Sequence, residues 1–272
     1  MYKQKRNVFA GIIRWLSLAV FIASLGMLAV HLYTDYAENQ AYTAMAEEFI
    51  ETEEETIVID EWATPDEQQA SITYKKVNVT ELHAQNREAV GWISIDGTPV
   101  NYAVMHAADN DKYLTRNANG AASATGAIFI DYSNKIDPLD ANIVLYGHNM
   151  GTTKTTMFST LVRYKQQSYY STHPYVRFDT YLGTGIWKIF AAFQVNVYNT
   201  PFNYAQRYFL NANDFNTFVS TAKSISYFTA DITPRFGDKI ITLSTCDRSN
   251  YGADGRFIVM AVLVGGTLTD IR

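Results

Sequence analysis

The chain of 272 residues holds a single cysteine, Cys246. It closes the run Ile240-Ile241-Thr242-Leu243-Ser244-Thr245-Cys246 and precedes the polar loop Asp247-Arg248-Ser249-Asn250-Tyr251-Gly252. A lone cysteine is most often a small buried core residue. This one stands at the mouth of a strand, where a thiol can be reached. A free thiol is only a few per cent thiolate near neutrality, so a nucleophilic role needs a partner for its proton. Ten residues on, Arg256 heads a second apolar run, Phe257 to Val264. Two such runs joined by a polar loop read as neighbouring strands, which would set a guanidinium beside the sulfur. A guanidinium keeps its charge and offers a planar fork to developing negative charge. The plain alternative is an edge ion pair from Arg256 to Asp247 or Asp254.

Of the five histidines, His31 lies in an apolar span, His83 in a helical pattern, His106 just after a strand and His173 before Pro174. These read as structural. His148 differs, because it follows the strand end Leu145-Tyr146-Gly147 directly. Taken alone it would be a surface-loop histidine. Beside Cys246, at the same kind of position, it is the candidate acid and base. A Cys, His and Arg set without an evident third carboxylate points to chemistry in which the arginine supplies electrostatic stabilisation.

The elements that must position these groups are mostly strands. Aromatics make up 14% of the chain, which favours β structure. Expected strands are 91–95, 100–105, 127–131, 142–146, 175–178, 185–196, 240–246 and 257–264. Short helices are expected from Asn78 to about Ala89 and from Met157 to Tyr164, with a helical turn at 109–114. A longer helix, Asn213 to Ser226, interrupts the series before the last two strands. Eight short strands with few helices argue for a mainly β, antiparallel-rich barrel or sandwich. One cysteine excludes any intramolecular disulfide.

Charge is unevenly placed. Four bases (Lys3, Lys5, Arg6, Arg14) fall in the first fourteen residues, and eight carboxylates fall between Glu47 and Glu61. Beyond residue 61 the chain carries 18 bases and 17 acids, with no basic block, so nucleic acid is not an expected partner. Trp15 to Tyr33 is apolar and long enough to span a membrane. Its length and the distance to Ala44-Met45-Ala46 favour an uncleaved anchor over a signal peptide. Bases before it and acids after it place the N-terminus in the cytoplasm and the rest outside. The expected organisation is an anchor over 1–33, an acidic extracellular stalk over 34–77 and a folded domain over 78–272.

Thr242-Leu243-Ser244-Thr245-Cys246, with Arg256 ten residues later and Tyr146-Gly147-His148-Asn149 before it, resembles the sortase family. Class B is the most similar subtype. The likeness extends to Gly91-Trp92-Ile93, Ile95-Asp96-Gly97-Thr98, Asn110-Asp111, Tyr113-Leu114, Gly126-Ala127-Ile128-Phe129, Asp131-Tyr132 and a helix inserted at about 206–222. The resemblance covers about residues 78–265. It implies an eight-stranded barrel and a membrane-tethered cysteine transpeptidase that acts on the sorting signal of surface proteins and on an amine of a cell-wall precursor. Cys246 would be the nucleophile, His148 the general acid and base, and Arg256 the oxyanion and substrate clamp. Asn110, Leu114, Tyr146 and Ser244 match positions lining the sorting-signal groove. Thr245 and Asp247 are expected to join them, and Asn199 to Phe209 to select the motif. Arg248 departs from relatives with an acid two residues after the cysteine, which leaves a third catalytic carboxylate open. No cofactor and no metal are implied. A cysteine hydrolase, a pilin-joining enzyme and a non-catalytic membrane-anchored scaffold are the alternatives. An intact Cys, His and Arg set speaks against the scaffold. No acid adjoins His148, so the sequence favours a small reactive fraction holding thiolate and imidazolium over deprotonation during attack.

Overall fold

The structure, a computed structural model, describes residues 8–59, 71–151, 154–200 and 202–270. The chain divides into two units, Met1–Met45 and Ala46–Arg272. The first is helical: α1 runs Val8–Phe49. Trp15, Leu16, Phe21, Leu25 and Met27 are all exposed among the described residues. A helix that is apolar all round needs an apolar surrounding, and this one is long enough to cross a membrane.

The second unit opens on a hairpin. β1 (Ile50–Val58) and β2 (Ser71–Val77) pair antiparallel. The expectation of a stalk over 34–77 rests on carboxylates that look like a solvated run. Glu47, Glu48, Glu53 and Glu54 do face water, but Ile57 and Ile59 are buried, and Ile59 bridges to Gly265. Arg177, 2% exposed, ties β2 down from below. It donates to the Lys75 carbonyl, lies 5.3 Å from the Tyr74 ring and pairs with Asp179 at 2.6 Å. Both charges are buried, so each depends on the other.

After α2 (Val79–Gln85), capped by the Asn78 side chain on the Glu81 amide, the barrel begins. Its strands are β3 (Ala89–Ser94), β4 (Asn101–Met105), β5 (Ile128–Ile130), β6 (Asn142–Tyr146), β7 (Tyr175–Thr180), β8 (Ile186–Asn196), β9 (Ile240–Cys246) and β10 (Gly255–Gly265). They close in the order β10-β8-β7-β3-β4-β5-β6-β9. Closure leaves no free edge. The expected strands coincide with these eight. Six neighbouring pairs are antiparallel, whereas β4–β5 and β6–β9 are parallel. The expected helix of 157–164 is a 3₁₀ helix, Ser159–Lys165, followed by α3 (Gln167–Thr172).

α4 (Ala212–Ser224) takes its N-cap from the Asn211 side chain. Its apolar face carries Phe215, Phe218, Val219 and Ala222. Phe218 packs on Phe202 at 5.1 Å and on Phe209 at 4.9 Å, and Phe202 reaches Phe193 of β8 at 5.6 Å. This aromatic chain pins the segment 202–210 beside the barrel. Asn142 completes the pinning, donating to the Tyr204 and Gln206 carbonyls at 3.0 Å each while accepting from Thr242 at 2.8 Å.

Candidate active site

Strand register brings the three candidate catalytic residues together. In the antiparallel pair β9–β10, Cys246 stands opposite Arg256. Side chains directly opposite each other share a face, with Cβ atoms about 4.5–5.5 Å apart. In the parallel pair β6–β9, Tyr146 stands beside Ser244. Both strands leave the sheet at the same end, and His148 and Cys246 each lie two residues further on. Three bonds hold the two exits together: Gly147 N–H to the Ser244 carbonyl at 3.2 Å, the Thr245 hydroxyl to the Gly147 carbonyl at 2.7 Å, and the Asn149 amide to the Cys246 carbonyl at 2.8 Å. Cys246 is half-buried.

Alternation sorts the remaining candidates. Ser244 and Cys246 of β9, Tyr146 of β6 and Arg256 of β10 lie on one face, beside the segment 202–210. Tyr146 donates to Asp131 at 3.0 Å, and Asn110 donates to the same carboxylate oxygen at 3.0 Å. Burial opposes the charge on Asp131, but bonds from Ser133, Asn110 and Tyr146 outweigh it and hold the carboxyl below its usual range. The Tyr146 phenol is pushed well up, chiefly by burial and then by Asp131. Tyr204 reaches the same face from the covering segment. Burial raises its phenol, and the Ser244 hydroxyl and Arg256 charge pull the other way. Sequence reasoning marks its segment but not Tyr204 itself.

Thr245 and Asp247 are turned to the other face. Thr245 is 2% exposed and spent on the Gly147 carbonyl. Asp247 accepts from the Ser249 amide and pairs with Lys165 at 2.6 Å. Burial raises its carboxyl, yet Lys165 and Ser249 bring it below the ordinary value. Lys165 is itself held over the Phe257 ring at 5.7 Å. The Lys165–Asp247 pair is not visible in the sequence, because its partners lie on elements far apart in the chain.

Arg256 makes no ion pair with a carboxylate among the described residues. Its guanidinium donates to the Ala253 and Gly255 carbonyls at 2.9 Å each. Those bonds fix its stem and occupy one of its two terminal nitrogens. The edge pair with Asp247 is absent because Lys165 holds that carboxylate on the opposite face. His148 donates from Nε2 to the Leu114 carbonyl at 2.8 Å. Leu114 ends a 3₁₀ turn, Lys112–Leu114, and its side chain is 38% exposed. His83 and His173 are engaged elsewhere, with the Ala89 carbonyl and with Tyr169 and Thr172. The arrangement therefore offers a thiol, an imidazole and a guanidinium at one strand end, beside a face lined by Tyr146, Ser244 and Tyr204.

Known proteins share this arrangement of strands. The Sortase domain family matches residues 93–264. Sortase B of Staphylococcus aureus is 33% identical over 183 residues, 67% of this chain and 73% of that protein. The structure of a Staphylococcus aureus sortase B–substrate complex has a TM-score of 0.63 at 32% identity, covering 68% of this chain and 84% of that one. A sortase B complexed with triglycine has a TM-score of 0.62 at 33% identity, covering 68% and 84%.

Proposed function

This chain belongs to the sortase family, class B, and is a cysteine transpeptidase; we propose that it cleaves a C-terminal sorting motif of surface proteins after Thr and passes the acyl group to an amine of a cell-wall precursor. The observation that carries this reading is the convergence of Cys246, His148 and Arg256 at one end of the β6, β9 and β10 strands.

In the first half-reaction the thiol's proton is already on His148, and the Cys246 thiolate attacks the Thr carbonyl carbon. The C=O electron pair moves to oxygen, and the Arg256 guanidinium faces the charge that develops there. The C–N bond then breaks, His148 gives a proton to the leaving amine, and a thioester remains on Cys246. In the second, an amine attacks the thioester, its proton passes to His148, and the sulfur leaves as the new amide forms. Tyr146, Ser244, Tyr204 and Asn110 would line the path of the sorting peptide, and Leu114 its near wall. The substrate complex of one relative supports a bound substrate here, and the triglycine complex of another supports an amine acceptor. α1 would anchor the enzyme, with the basic residues that precede it in the cytoplasm and the barrel outside.

The test is mass spectrometry of the full-length protein incubated with sorting peptides. An acyl adduct on Cys246 that an added amine converts to an amide product supports the reading. Absence of an adduct in the wild type, or its persistence in Cys246→Ala, would overturn it. Release to water alone would reduce the enzyme to a hydrolase.

A further inference from the structure

A carbonyl oxygen can only accept a hydrogen bond. The contact of His148 Nε2 with the Leu114 carbonyl at 2.8 Å therefore requires the proton on Nε2. The site holds no carboxylate on His148 among the described residues, so the group that usually orients a catalytic imidazole is missing. We infer that the Leu114 backbone carbonyl takes that place, fixing His148 as the Nε2–H tautomer, and that Glu88 is a positioning residue that holds this carbonyl where it is. The inference rests on the catalytic reading of His148 given above.

Strand order supplies the direction of the ring. β6 lies between β5 and β9. Leu114 and Gly126 stand on the β5 side, since the Ala127 amide, just before β5, donates to the Tyr113 carbonyl at 2.9 Å. Gly126 packs so tightly there that a Cβ would come within 3.0 Å of the Leu114 oxygen and 3.1 Å of His148 Cδ2. Its φ of +62° also favours glycine. The Cδ2–Nε2 edge of the ring thus faces β5. Nδ1, across the ring from that edge, faces β9, where Cys246 ends. With Nε2 protonated, neutral His148 presents a bare Nδ1 to the thiol side, and the imidazolium presents Nδ1–H to a leaving amine.

The carbonyl is held from behind. One Glu88 oxygen accepts from Lys112 Nζ at 2.6 Å and from the Tyr113 hydroxyl at 2.5 Å. These are the two residues that lead into Leu114 in the 3₁₀ turn. Lys112 and Tyr113 draw the Glu88 carboxyl below its usual range, as expected of a carboxylate that stays ionised to grip them. Asp109 adds two bonds, from the Asp111 and Lys112 amides. Neither Glu88 nor Lys112 touches the reacting atoms. Their effect passes through the backbone to the imidazole.

The experiment is a two-bond ¹H–¹⁵N spectrum of the full-length, histidine-labelled protein in detergent micelles, with His148 assigned by His148→Gln. The expected signal is Nε2–H with unprotonated Nδ1 in the neutral form. A neutral ring carrying its proton on Nδ1 would overturn the inference. In Glu88→Ala the signal is expected to become a tautomer mixture, with kcat down about tenfold or more and KM nearly unchanged. Glu88→Gln, which still offers one acceptor, should fall between. A folded Glu88→Ala protein with unchanged tautomer and unchanged kcat would remove Glu88 from this role. The spectrum needs no turnover. Its failure is therefore distinct from failure of the catalytic reading, which shows as full activity in His148→Gln.

Discussion

Replacing Asp131 by Asn tests how the groove face is held. Asp131 is the shared acceptor for Asn110, Tyr146 and Ser133, with distances of 3.0 Å to the first two and 2.9 Å to the Ser133 amide. The amide of Asn keeps one acceptor oxygen and puts an NH₂ where the other stood. If the oxygen stays with Ser133, the NH₂ meets two donors, Asn110 Nδ2 and Tyr146 Oη. Bonds to a charged group contribute about 1.5–3 kcal/mol each, and Asp131 is only half-buried, so the lower end applies. With partial recovery by rotation of the Tyr146 hydroxyl, the loss is about 2–3 kcal/mol. For a domain of this size that lowers Tm by roughly 5–10 °C. The pH dependence follows from the depressed native pKa. A carboxylate held below its unfolded value adds stability that is complete above about pH 4 and vanishes as pH falls through the native value. The gap between wild type and Asp131→Asn should be full at pH 7 and close progressively below about pH 4. Thermal unfolding followed by near-ultraviolet circular dichroism at about pH 7, 5 and 3 measures it. An equal gap at the acid and neutral ends, or none at neutral pH, would refute the assignment of the network to the ionised carboxylate.

Arg256→Lys keeps the charge but cannot serve the Ala253 and Gly255 carbonyls and a developing oxyanion with one planar group; transpeptidation should fall about 10²-fold with the fold intact. Near-normal turnover in that variant would take Arg256 out of the oxyanion role. A protein beginning at Ala46 should be soluble and as stable as the full chain, whereas one beginning at Ser71 loses β1 and the burial of Ile57 and Ile59, about 3–6 kcal/mol by area. Urea midpoints of the two compare them directly. Lys165→Met leaves Asp247 buried with only Ser249, and should cost about 2 kcal/mol at neutral pH. Because Lys165 helps depress the Asp247 carboxyl, the wild type should keep its stability to lower pH than this variant, which acid titration of the unfolding midpoint would show.

The eight barrel strands and α4 are legible because alternation and helical periodicity are local signals bounded by turns. The proximity of Arg256 to Cys246 is legible too, since a short polar loop between two apolar runs leaves little choice but a hairpin. The hairpin of β1 and β2 is not. Glu51, Glu53, Glu54 and Glu55 dominate its composition, and the few apolar residues that dock it, Ile57, Ile59 and Tyr74, look incidental until Arg177 and Gly265 are seen beneath them. Thr245 and Asp247, expected beside the substrate, face away because one residue's step along a strand reverses its side. The partner of His148 cannot be read at all. A backbone carbonyl has no letter of its own, so a search for a third carboxylate looks past Leu114.

The parallel pairing of β6 with β9 also sets when the enzyme can come into being. The bond from Asn149 to Cys246 spans 97 positions. Contacts of such separation form late, after the entropy of closing the intervening chain has been overcome. In the chain, β7, β8 and α4 lie between β6 and β9, and β10 follows β9. A chain emerging from the N-terminus therefore exposes His148 long before it has a thiol, and exposes the thiol before Arg256 is opposite it. A chain that ends before β9 and β10 carries neither Cys246 nor Arg256, the proposed nucleophile and oxyanion partner.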